Sequence, residues 1–202
     1  MVVATALGSY ILWAALANAN DDPSPTTTPV SQRTGGISIP LQNTPGVRVF
    51  ILSATEDGTV DASNPGAVAG NNKVLWVDAE PQVVSYLKFR VDDVDDGVTR
   101  AVLMMYATTG SPDGFSVYLV PDVAWDEATI TYETAPTLGA LLGAAGSFGE
   151  GSVVEVELDP FIFDLGDYAL ALVTDASTRM GFGSTESDVV GPQLLILTDN
   201  QP

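Results

Sequence analysis

The sequence predicts an all-β protein: an antiparallel, jelly-roll-like β-sandwich preceded by an apolar N-terminal segment and a Pro/Thr-rich linker. Three observations predict it. From residue 47 onward, short runs rich in Val, Ile, Leu, Tyr and Phe are broken every ~8–15 residues by clusters of Gly, Pro, Asn and Asp. Several runs alternate with period two: Leu87, Phe89 and Val91 fall on one face of a strand, and Tyr86, Lys88 and Arg90 on the other. Only 137–145 (TLGALLGAA) reads as a helical turn, and it is too short and too glycine-interrupted to stand alone.

In chain order, residues 1–20 contain no charged side chain and would extend about 30 Å as a helix, the length of a signal peptide or a membrane span. Ala17-Asn18-Ala19 suits signal-peptidase cleavage, yet no Lys or Arg precedes the apolar run. Two expectations follow: a leader that is removed, or a retained segment that buries Ile11, Trp13 and Leu16 in a membrane or a neighbouring subunit. Residues 21–46, opening DDPSPTTTPVSQRTGG, cannot build a core and read as a linker or extended arm. Residues 47–202 form the sandwich module, with strands expected near 47–54, 73–78, 83–91, 99–108, 114–121, 152–158, 167–174, 179–184 and 192–198.

Composition excludes much. The chain carries 26 acidic residues against seven basic ones, a formal charge of −19, which repels a phosphate backbone and makes nucleic acid an unsuitable partner. With no cysteine there are no disulfides, thiolate metal sites or Cys nucleophiles. With no histidine, the usual general base and every Ser-His-Asp arrangement are missing. No nucleotide loop or nucleophile elbow is present, and with so many carboxylates a pair at glycosidase spacing carries no information. The expectation is a protein without enzymatic activity.

An ordered set of motifs points further. T-E-D-G-T-V-D-A-S-N-P (55–65) is followed by K-V-L-W-V-D (73–78), S-Y-L-K-F-R-V (85–91) and T-R-A-V-L-M-M-Y-A (99–107). W-D-E-A-T-I-T-Y-E-T-A-P (125–136) is the most specific piece, and V-V-E-V-E-L (153–158) and P-Q-L-L-I-L (192–197) close the set. Residues from about 55 to 198 thereby resemble the extracellular DNRLRE domain, also classified as carbohydrate-binding module family 96. Trp125, Glu127, Thr129, Thr131 and Pro136 match that family's Trp-x-Glu-x-Thr stretch. Two departures stand out: Val68-Ala69-Gly70 replaces the usual Asn-Tyr-Gly, and the acidic 92–97 segment replaces a shorter loop. The resemblance implies an extracellular or cell-surface sandwich that sometimes binds sugar and is not itself an enzyme.

A sugar-binding face needs flat rings and hydrogen-bonding neighbours on rigid strands. Alternation places Trp76, Tyr86, Lys88 and Arg90 outward if their two strands pair, and four of the seven basic residues (Lys73, Lys88, Arg90, Arg100) fall close together, which favours an acidic polysaccharide. Packing of Trp76 and Tyr86 across the strand pair or beneath a loop, with the basic residues merely balancing nearby carboxylates, is the competing reading. Trp125 is expected to seal the core. For cofactors the expectation is none beyond a structural Ca2+: Asp92, Asp93, Asp95 and Asp96 offer hard oxygen ligands without EF-hand spacing, and Asp57 with Asp61 forms a weaker candidate. Function is then carbohydrate binding and adhesion at the cell surface, or the role of a structural subunit in an extracellular filament. In the second case residues 1–46 pack into adjacent copies, for example by strand donation. Partners are a polysaccharide or copies of the chain itself, with membrane contact confined to residues 1–20.

Overall fold

Alternating apolar positions sort onto two facing surfaces, and the chain closes them against each other. The computed structural model describes residues 47–94 and 97–199. These form β1 (Val47–Ser53), β2 (Glu56–Asp61), β3 (Val74–Ala79), β4 (Gln82–Val91), β5 (Val98–Tyr106), β6 (Phe115–Val120), β7 (Leu141–Ala145), β8 (Val153–Leu158), β9 (Gly166–Val173), β10 (Met180–Gly183) and β11 (Gln193–Asp199). One sheet runs β1-β11-β5-β8; the other runs β10-β3-β4-β9-β6-β7, with β2 also paired to β4. Every pairing is antiparallel. Among the described residues no helix is long and apolar enough to cross a membrane.

The core between the sheets takes alternate side chains from both: Leu103, Met105, Val156, Leu194 and Ile196 from the first, and Leu87, Phe89, Leu170, Leu172 and Phe182 from the second. Each of these is essentially free of solvent contact. At about 1.5–3 kcal/mol per buried large apolar side chain, this layer is the main source of stability in a chain without disulfides.

Nine of the expected strands are present with small shifts at their ends. The structure adds β2, which the acidic E-D-G-T-V-D composition hid. Its pairing with β4 sets Glu56 opposite Lys88, so a charge that would disfavour the strand has its counter-charge in register. The expected helical turn at 137–145 is corrected: residues 141–145 form β7, which takes the open edge of β6. Edge pairing supplies backbone hydrogen bonds that a two-turn helix interrupted by glycine could not match.

A second apolar cluster lies on the outer face of the larger sheet. It joins Val60, Val84, Tyr86, Ala169 and Ala171 to Trp125 and Ile130. Residues 121–140 form a lid without regular structure over that face, and the small Ala169 and Ala171 beneath it leave room for the ring of Trp125.

Candidate functional site

The W-D-E-A-T-I-T-Y-E-T-A-P stretch proves to be this lid, and its residues are spent holding it down. The Asp126 side chain accepts from the Ala128 amide at 2.8 Å and its carbonyl accepts from Ile130 at 2.8 Å, closing a tight turn. The hydroxyls of Thr131 and Thr134 bond each other at 3.0 Å. Trp125, 8% exposed, meets Tyr86 edge to face with ring centroids 6.0 Å apart. The Tyr86 hydroxyl donates to the Pro136 carbonyl at 3.0 Å, and burial pushes its pKa up to about 12.

Two of the four residues expected on an outward sugar face are therefore covered. Tyr86 is 4% exposed beneath the lid. Lys88 places its ammonium 4.5 Å from the Trp125 ring centre, donates to the Trp125 carbonyl and pairs with Glu56 at 3.0 Å. Alternation assigned both to the face opposite the core correctly; that face is dry because another segment crosses it. Arg90 is exposed but engaged, bonding Asp92 at 2.6 Å and its ladder partner Asp167 at 3.0 Å.

Trp76 does reach the surface. It lies half-buried on β3, and in the ladder with β10 it sits opposite Gly181. A Cβ on Gly181 would fall 3.0 Å from the Trp76 ring and 2.7 Å from the Thr108 hydroxyl, so the bare backbone is what lets the ring lie flat across β10. The exposed Arg179 holds its guanidinium carbon 4.7 Å from the ring centre. Its neighbour Met180 pairs with Val77, so Arg179 stands diagonally across the ladder from Trp76. Unlike Lys73, Lys88, Arg90 and Arg100, Arg179 makes no ion pair among the described residues. Sequence reading missed Arg179 because the β3–β10 pairing joins segments about a hundred residues apart and leaves no local signal.

Of the calcium expectation at 92–97, Asp92 pairs with Arg90, Asp93 lies 3.8 Å from Arg48, and Asp95 and Asp96 fall outside the described residues. The assembly residues Ile11, Trp13 and Leu16 also lie outside them. Asp57 and Asp61 do not share a site. Four positions along a strand separate them by about 13 Å, and Asp61 accepts from the amide and hydroxyl of Ser63 at 2.7 and 2.6 Å.

Asp57 is instead the most unusual carboxyl of the fold: it has no exposed surface, and burial pushes its pKa up to about 7. One of its oxygens accepts from the Thr185 amide at 2.7 Å, and its own amide donates to Glu127 at 3.2 Å. Burial also holds Glu127 above the usual carboxylate range, with the Glu186 charge adding to the effect.

Two packed antiparallel sheets define a β-sandwich, and Trp76 and Arg179 stand together on an outer strand surface of it. The chain belongs to carbohydrate-binding module family 96, whose family model matches residues 49–198. No curated protein matches the chain.

Proposed function

We propose that this module binds a polysaccharide outside the cell through Trp76 and Arg179, with no chemistry of its own, and so holds its carrier to a glycan at the cell surface. The observation that carries the reading is the Trp76–Arg179 pair: a half-buried ring on a strand with a guanidinium over it that no carboxylate among the described residues retains. A cation–π contact at an exposed site is worth about 0.5–1 kcal/mol, so an anionic sugar can draw the guanidinium aside cheaply and stack its pyranose face on the ring. The ring then supplies most of the affinity. The charge selects uronic or sulfated sugars against the repulsion of a molecule at −19.

Affinity electrophoresis against a panel of neutral and acidic polysaccharides tests this. Trp76→Ala is expected to weaken every ligand at least tenfold, and Arg179→Gln to weaken acidic ligands selectively. Equal binding by wild type and Trp76→Ala would remove the platform.

A second reading, the filament subunit, draws support from β1. Among the described residues this strand pairs with β11 on one side only and is the edge of its sheet, and in sequence it follows directly on residues 21–46. A neighbour's extended segment can add to such an edge.

A further inference from the structure

Three carboxylates from three separate segments share one neighbourhood: Asp57 on β2, Glu127 in the lid and Glu186 in the connection from β10 to β11. Each has one oxygen fixed by the protein. Asp57 Oδ2 accepts from the Thr185 amide at 2.7 Å, Glu127 Oε2 from the Asp57 amide at 3.2 Å, and Glu186 Oε1 from the Thr185 hydroxyl at 2.8 Å. The other oxygens are the telling ones. Asp57 Oδ1 and Glu186 Oε2 are buried and accept no hydrogen bond from any described residue. A fully buried carboxylate oxygen without a partner costs several kcal/mol unless a proton or a cation meets it.

Among the described residues no basic side chain acts on Asp57. The charged groups acting on Asp57 are Glu186 and Glu127, both acidic, and Lys88 is already committed to Glu56 at 3.0 Å. The neighbouring Glu56 also accepts from the Glu127 amide at 3.2 Å, which steadies the lid segment beside Asp57. We propose that Asp57, Glu127 and Glu186 form a divalent-cation site for Ca2+ that clamps the lid and the β10–β11 connection onto β2.

Hard carboxylate oxygens suit Ca2+, which tolerates irregular shells of 6–8 ligands, whereas Mg2+ demands a near-ideal octahedron. As they stand, no three or more acidic side chains among the described residues are arranged to hold a metal ion, so binding requires them to move. The ion is therefore seated on Asp57 Oδ1, drawing in the free oxygens of the two longer glutamates by side-chain rotation and completing its shell with water. The fixed oxygens play the orienting part that outer-shell hydrogen bonds play at metal sites.

The test is calorimetric titration of the full chain with CaCl2 after chelator treatment, paired with thermal unfolding. One saturable site is expected, with a rise in Tm of about 5–10 °C at calcium a hundredfold above its Kd. Asp57→Asn should abolish both responses, and Glu186→Gln, on the surface connection, should weaken binding at least tenfold while leaving the calcium-free fold intact. Calcium binding that both variants retain would place the ion elsewhere, including the 92–97 segment, and overturn the proposal. Absence of any calcium response in the wild type would also overturn it. Neither result touches the glycan platform, which shares no residue with this site.

Discussion

Asp57 ties the stability of the module to pH. Its folded pKa of about 7 lies above the ordinary value of 3.8, because burial and the Glu186 and Glu127 charges disfavour the anion. A raised carboxyl contributes stability that is full below 3.8 and is lost as pH rises through 7, in total roughly 4 kcal/mol at about 1.4 kcal/mol per pH unit. Asp57→Asn keeps an acceptor for the Thr185 amide and removes the charge. With chelator present, urea unfolding from pH 4 to 8 is expected to show a fall in wild-type stability that the variant lacks; parallel curves would clear Asp57 of the effect. The sequence offers this residue only as a weak calcium candidate beside Asp61; its burial is not legible, since one aspartate among 26 acidic residues becomes special only when Thr185, 128 positions on, closes over it. The face of Trp76 was legible for the opposite reason: period-two alternation within one strand fixes it, and the ring stays half-buried.

Among the elements, the lid is where sequence pattern and structure part company. Alternation on β4 is locally complete, so Tyr86 and Lys88 read as wet; the burial comes from residues 121–140, whose path no local period encodes. Strands were readable because each is an apolar run bounded by turn residues, several with a two-residue period, while β7 and β2 were not, because edge pairing and a charge partner decide them. Gly70 shows how closely the lid fits. A Cβ there would sit 2.0 Å from the Glu127 carbonyl oxygen, so the backbones of the β2–β3 connection and the lid meet at this point. Gly70→Ala is expected to cost about 1–3 kcal/mol as overpacking, read by urea unfolding, and to open residues 121–140 to limited proteolysis. Of the Val68-Ala69-Gly70 segment that departs from the family pattern, the retained glycine is thus the position with no freedom to change.

At the scale of the whole molecule, the β1 edge separates the two readings of function. If residues 1–46 add to that edge in a neighbouring copy, deleting them should abolish filaments in negative-stain images while leaving glycan retention unchanged; filaments that survive the deletion would remove the arm from assembly. The ladder itself has a mechanical consequence. Val47 pairs with Asp199, so the strands that open and close the module leave it side by side at one end. The Trp76–Gly181 ring platform adjoins the Ala107–Phe182 bridge, at the far end of β5 from the Val98–Thr198 pair, about 30 Å away along the strand. Were a glycan held at the platform and the module tethered at Val47, the tension would run along the strands and strain the β1–β11 hydrogen bonds together, whereas tension between the two ends of the module would peel them one at a time. The same sandwich is a firm link when it is holding on and a zipper when it is stretched.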